Sequence, residues 1–385
     1  MKKTVCTIIK LSILTIMVII FGLLSIIKND PIKAEYYSAN IAASYISNAS
    51  KFFSNIPFSV YELTVIFIIV MVIFFLVTIL IKLFKKQYRK SGQRLLSFMI
   101  FVLTSVNIYF ATASISYGRT EVKIPLYQET IDQQLVDEAM EYFIQDYNYL
   151  STKFERNEDC TIISPYTFEE VNELIKKEYL RLDPTYFPEY TPKAKQLLFS
   201  FVFTELHFTG IFWAPTGEAN INTNLHAVEL PHTMAHEFAH SKGVFREGDA
   251  NLVAMYITLT SENEYLRYSG YYNHFFSSLL KLYEKKPEQY RYYLSKLNPD
   301  IIKEVNAINK FWWEDHNLLE KIGDWYNDLF LKANGEEQGT DSYWDNTEFE
   351  DTGKVDENNQ PIYIIPEYST FSKLFFHIYK ENNKN

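Results

Sequence analysis

A chain of 385 residues has room for two or three ordinary domains, but its charge is unevenly spread. Residues 1–117 carry 12 Lys and Arg against 3 Asp and Glu, a net of +9; the remaining 268 carry 25 against 44, a net of −19. A uniform soluble domain is thereby excluded, as is nucleic-acid binding by so acidic a back half, and two cysteines, Cys6 and Cys160, with Cys6 in an apolar run, exclude a disulfide framework and a cysteine-ligated zinc.

Three apolar runs open the chain, at residues 11–27, 63–80 and 95–113. A bilayer core of about 30 Å needs roughly 20 apolar residues per helix, so each run is long enough to cross. With their flanks they predict transmembrane helices at about 5–27, 62–81 and 95–115. Lys2 and Lys3 before the first run would also suit a signal peptide, but no small-x-small cleavage pattern precedes Lys28, so the run reads as retained. The segment 82–94 holds Lys82, Lys85, Lys86, Arg89, Lys90 and Arg94 and no acid, which predicts a cytoplasmic face. The N-terminus then also lies inside, and residues 28–61 and 118–385 lie outside. The expected organisation is a membrane anchor over 1–117 and an extracytoplasmic domain over 118–385.

The second region reads as mostly helical. Leu135, Ala139, Phe143 and Tyr147 form one stripe of a helix over 131–149. Thr167 and Glu170 form a capping box that opens a helix through Leu180. Helices are predicted over 262–285 and 287–297, and a long one from Asp300 to about Ala333, closed by Asn334 and Gly335. Residues 336–366 lose the pattern and read as a surface insertion before a last helix over 370–379. Strand character is confined to 208–224, where apolar residues flank a turn at Pro215-Thr216-Gly217, and residues 217–222 read either as an edge strand that pairs with an extended peptide or as part of an ordinary short hairpin.

One motif carries specific chemistry. Within residues 230–243 lies His236-Glu237-Phe238-Ala239-His240, with Pro231 suited to a helix's first turn and Gly243 to the position past its end. By composition alone an HExxH string would arise in about one such chain in a hundred. His236 and His240 are one helical turn apart, so both imidazoles project from one face and are able to grip one ion. Glu237 sits one step round, where its carboxylate reaches a metal-bound water rather than the metal. His232, one turn earlier, is separated from His240 by about 12 Å along the axis and reads as a flanking residue.

A tetrahedral catalytic zinc wants a third protein ligand and an open position. Glu247, just past the turn, is placed to fold back and supply it, and Asn251 on the same face would bond a ligand histidine as support. Asp249 is the rival ligand, but it lies roughly 200° round the helix from Glu247, so only one of the two faces the site.

The sequence resembles a bacterial membrane-protein family, domain of unknown function 3810, whose members look like gluzincin-type zinc metallopeptidases. The resemblance covers nearly the whole chain: the three spans, Ile56-Pro-Phe-Ser-Val60, Thr216-Gly-Glu-Ala-Asn-Ile-Asn222, the HExxH helix, Glu247-x-x-Ala-Asn251, Arg267-Tyr268-Ser269, Leu331-Lys-Ala-Asn-Gly335 and Ser342-Tyr343. It implies Glu247 as third ligand. The chain departs from the family pattern at Gly248-Asp249 and in an added segment over 349–366. The fold class this implies is mainly α, with three N-terminal transmembrane helices and an α-rich, zincin-like α+β extracytoplasmic domain carrying a small sheet.

The expected activity is hydrolysis of peptide bonds at the bacterial cell membrane, with Zn²⁺ on His236, His240 and Glu247, a zinc-activated water, and Glu237 as general base. The expected partners are the lipid bilayer and a peptide or protein substrate. Asp249, His274, Tyr268 and Tyr343 are candidates for supporting the ligands or touching substrate; Tyr271, Tyr272 and Arg267 join His274 and Tyr343 as candidates for stabilising an oxyanion. The alternative function is a catalytically inactive relative that binds a partner or peptide in envelope assembly. Substrate specificity and oligomeric state are not legible.

Overall fold

Long apolar runs and helical periodicity build the first half of the molecule. The computed structural model describes residues 2–120, 122–313, 318–343, 345–355 and 360–383. The chain opens with α1 (Lys2–Lys28), α2 (Pro31–Tyr37) and α3 (Ala43–Phe53), the last two joined by one π-helical turn, and continues into α4 (Val60–Phe84) and α5 (Tyr88–Thr112). Three helices, α1, α4 and α5, are long and apolar enough to cross a membrane. They pack side by side and hold their few polar groups between them: Lys10 Nζ donates to Ser97 Oγ at 2.7 Å and Asn107 Nδ2 to Met17 O at 3.0 Å. The basic segment 82–94 is less of a loop than its charge suggests. Helix α4 runs to Phe84 and α5 begins at Tyr88, so the basic side chains mostly decorate helix ends around a turn in which Lys86 has φ 53°.

The second half follows as α6 (Gln133–Ser151), α7 (Phe168–Tyr179), β1 (Lys195–Gln196), α8 (Ser200–Glu205), β2 (Gly210–Trp213), β3 (Glu218–Ile221), α9 (Leu230–Ser241), α10 (Glu247–Leu259), α11 (Glu264–His274), α12 (Pro287–Ser295), α13 (Pro299–Trp313), α14 (Leu318–Asn334), β4 (Glu350–Val355), β5 (Pro361–Ile364) and α15 (Thr370–Asn382). Helix α6 buries the expected stripe, with Leu135, Ala139, Phe143 and Tyr147 in the core. Helix α7 carries the Thr167–Glu170 capping box in both directions. The long helix expected from Asp300 to Ala333 is described as α13 and α14, and residues 314–317 between them lie outside the described residues.

The sheet order is β1-β3-β2, with β1 parallel and β2 antiparallel to β3. Of the two readings of 217–222 the hairpin holds, since β3 pairs antiparallel with β2, and the edge strand does not. Strand β3 is central and wholly buried, because two-residue β1, too short to register as a strand signal, covers its other side; β1 and β2 are the edges. The presumed surface insertion is also two things. Gly339, Asp345 and Thr347 are buried, whereas the β4–β5 hairpin is exposed; residues 344 and 356–359 lie outside the described residues.

The two halves are stitched together at the start of α4. Buried Glu218 on β3 receives the N–H groups of Val60 at 3.0 Å and Tyr61 at 3.1 Å, capping α4 with a carboxylate, and pairs with Lys195 of β1. In return Glu62 on α4 receives the N–H groups of Leu198 and Phe199 at 3.0 and 2.8 Å, just before α8. Ser50 Oγ of α3 donates to Gly217 O at 2.6 Å, and that glycine, at φ 66°, leaves no room for a side chain against Ser50. Helix α3 is therefore packed on the turn between β2 and β3.

Candidate metal centre

Helix α9 is buried along its length from Pro231 to Ser241. Met234, Phe238 and Ala239 face the core, and Tyr179 donates its hydroxyl to Ala235 O at 2.5 Å. The helix stops at Gly243, whose φ of 83° reverses the chain so that α10 can return alongside it. Ala250 and Ala254 are fully buried where the two helices meet. The HExxH face of α9 and the first turn of α10 are thereby set against each other.

At that contact His236, His240 and Glu247 each direct one ligand atom into a common point, all within 4.8 Å of one another. His236 Nε2 lies 3.1 Å from His240 Nε2 and 3.1 Å from Glu247 Oε2, and His240 Nε2 lies 3.6 Å from the same oxygen. Each imidazole is oriented from behind: His236 Nδ1 is 2.7 Å from Asn251 Oδ1, and His240 Nδ1 is 2.7 Å from Val244 O. Both Nδ1 atoms therefore donate, which leaves both Nε2 lone pairs aimed inward. Asn251 is itself fixed by donating Nδ2 to Tyr343 O at 2.8 Å.

Two carboxylates share this pocket and are driven apart. Burial opposes ionisation of Glu247, but His240 and His236 outweigh it and hold the carboxyl down at about 2. Burial pushes Glu237 up to about 8; His236 pulls against that and Glu247 adds to it. Glu237 Oε2 is buried without a hydrogen-bond partner, while Glu247 Oε2 faces the two imidazole nitrogens. Two imidazole nitrogens and a carboxylate oxygen meeting at one buried point form a group that could hold a metal ion.

The remaining sequence candidates divide. Tyr343 belongs to the site: it rides in on the 339–343 turn, its ring stacks on His236 with centroids 6.2 Å apart, and burial followed by Glu247 pushes its hydroxyl well up. Asp249 is turned away and paired with Arg246 at 2.6 Å. His274 and His232 pair with each other, Nε2 to Nε2 at 2.7 Å, and His274 stacks on Phe371. Burial, reinforced by His236, lowers His274 to about 3, so the pair stays neutral. Tyr268 is committed elsewhere, donating to Glu304 Oε2 at 2.5 Å and accepting from Arg156 at 2.9 Å. Tyr271 donates to Asp146 at 2.8 Å, and Arg267 sits 3.5 Å from the same carboxylate.

Several contributors carry no motif. Gly210, at the start of edge strand β2, lies so close to Glu237 that a Cβ would meet its Oε1 at 2.6 Å. A glycine opening a strand is the one local signal that a backbone is closely approached there. Gly248 lets the 339–343 turn sit on α10, since a Cβ would reach Ser342 O at 2.8 Å. Phe245 and Phe212 wall His240, with ring centroids 5.6 and 6.2 Å away.

No curated protein and no solved structure matches the chain. A family model described as protein of unknown function (DUF3810) matches residues 37–349, a stretch that includes α4, α5, the sheet, all three converging ligands and Tyr343. The chain belongs to that family.

Proposed function

We propose that this chain is a membrane-anchored, zinc-dependent metallopeptidase of gluzincin type, with a zincin-like domain on the outer face of a bacterial cell membrane. The observation that carries the reading is the convergence of His236, His240 and Glu247 on one buried point, with Glu237 beside them and its Oε2 buried and unpartnered. His236, His240 and Glu247 would hold Zn²⁺, which when bound polarises the scissile carbonyl and acidifies a water. In its ionised form, which a dication held beside it would favour, Glu237 would take a proton from water at Oε2 and return it to the leaving nitrogen. Its Oε1 side is backed by Gly210, so the carboxylate is held against β2 rather than swinging free. The free edge of β2 gives an extended peptide backbone a ladder to join beside Glu237. Outward placement of this domain is supported by the basic residues around the α4–α5 turn.

The test is cleavage of a diverse peptide library by the detergent-solubilised full chain, beside Glu237→Gln. Zinc-dependent cleavage that falls about 10²–10⁴-fold in Glu237→Gln while zinc content holds is the expected result. Zinc binding with no cleavage of any peptide by the wild type would replace this reading with a partner-binding protein built on the same centre.

A further inference from the structure

Helix α14 divides its circumference into three. Gly323, Leu331 and Asn334 are buried against the protein, and Lys321, Asp324 and Lys332 face water. The third sector is apolar and uncovered: Leu319, Ile322, Trp325, Tyr326 and Leu329 are 45–65% exposed at helical spacing. Five large apolar side chains on one stripe are a poor surface to leave in water.

Position says what covers them. The buried side of α14 lies across the ends of two membrane helices. Phe330 packs on Tyr109, three residues from the end of α5, with centroids 5.6 Å apart, and Asn334 Oδ1 accepts from Ser114 at 2.8 Å. At the other end Gly323 approaches Leu206 O so closely that a Cβ would sit 2.6 Å from it, just past α8. The turn before α8 is tied to the first turn of α4 through Glu62, and it exposes Leu198 at 72% and Phe201 at 63%. The uncovered stripe is thus continuous with the apolar surfaces of α4 and α5, at the level where α4 begins and α5 ends. Tryptophan and tyrosine at that level are the residues that favour a membrane–water boundary.

We propose that α14, together with the 198–201 turn, is an interfacial anchor that lies in the surface of the bilayer leaflet where α4 starts, with its apolar stripe about 5–10 Å into the headgroup and acyl boundary. The consequence for the metal centre is direct. Leu331, on the inward face of α14, shares an apolar cluster with Phe245 and Phe212, the rings that wall His240. The centre therefore lies close behind α14 and, with α14 in the bilayer surface, would act on peptide segments presented at that surface.

The anchor rests on α4 and α5 crossing the bilayer, so the experiment tests the two separately. In a full-length Cys6→Ser, Cys160→Ser background reconstituted in phosphatidylglycerol and phosphatidylethanolamine vesicles, single nitroxide labels are placed by Ile322→Cys, Trp325→Cys and Leu329→Cys. Lys321→Cys, Asp324→Cys and Lys332→Cys serve the polar sector, and Ile73→Cys the middle of α4. Power saturation compares relaxation by oxygen with relaxation by an aqueous nickel chelate. The expected result is oxygen dominance at Ile73, Ile322, Trp325 and Leu329 and nickel dominance at the other three. Oxygen dominance at Ile73 with nickel dominance all round α14 would overturn the anchor alone and leave the stripe to a protein partner. Protection of the apolar stripe from both reagents would overturn it in favour of a second copy of the chain. Nickel dominance at Ile73 would remove the spanning helices and the anchor with them.

Discussion

Two buried carboxylate clusters lie on the same small sheet and are finished differently. At the α4 junction Glu218 is 2% exposed and both its oxygens are answered: Oε1 by Lys195 and Val60 N–H, Oε2 by Tyr61 N–H and by Thr216 Oγ1 at 2.5 Å. At the α9–α10 contact Glu237 and Glu247 are 4% and 6% exposed; Glu237 Oε2 has no hydrogen-bond partner, and Glu247 Oε2 has only the two imidazoles of His236 and His240 beside it. A buried charge left unanswered is costly, whereas one fully paired and hydrogen-bonded holds its surroundings in register. The first cluster therefore reads as architecture, tying the membrane helix to the sheet. The second, on the proposed function, is a site left for an ion and a reacting water.

The comparison breaks most visibly at Glu218. Glu218→Ala strands Lys195 and uncaps α4, and is expected to destabilise the full chain by about 3–5 kcal/mol in denaturant titrations while leaving zinc per folded chain unchanged. Loss of zinc with unaltered stability would mean that the two clusters have been assigned the wrong way round.

Glu237 sharpens the contrast through pH. Its folded-state value near 8 lies above the ordinary 4.5, so the folded chain retains a proton that the unfolded chain releases, and stability falls as pH rises between those values. In chelator, Glu237→Gln should therefore melt higher than wild type at pH 8 and alike at pH 4. Equal melting temperatures at both would show that burial exerts no such pressure on the carboxylate.

Smaller effects belong to the supports. Asn251→Ala removes the oxygen behind His236, and zinc affinity should weaken by about 10–100-fold in competition with a chromogenic chelator. Asp249→Asn, whose partner Arg246 is half-exposed, should leave zinc binding unchanged and shift stability by about 0–1 kcal/mol. A larger loss of zinc from Asp249→Asn than from Glu247→Gln would exchange their roles.

What the sequence disclosed follows from what is local. Apolar runs, the stripe of α6, the α7 capping box and the spacing of His236, Glu237 and His240 all lie within a few helical turns, where periodicity and side-chain direction are readable. Glu247 and Asn251 were within reach because only a glycine turn separates them from His240. The rest depends on distant backbone. Tyr343 comes to His236 across more than 90 residues, in a segment whose composition suggests surface. Val244 lends only a carbonyl, and Gly210 only the absence of a side chain, neither of which a motif records. The choice between edge strand and hairpin over 217–222 is not local, because it depends on β1, two residues long and paired in parallel from elsewhere in the chain.

The central claim is most directly tested by zinc stoichiometry, measured by mass spectrometry of metal on purified full-length wild type, Glu247→Gln and Glu237→Gln. One zinc per chain in the wild type and in Glu237→Gln, with none retained by Glu247→Gln, is the predicted result. A wild-type chain that binds no zinc, or a Glu247→Gln chain that holds it as tightly as wild type, would contradict the account.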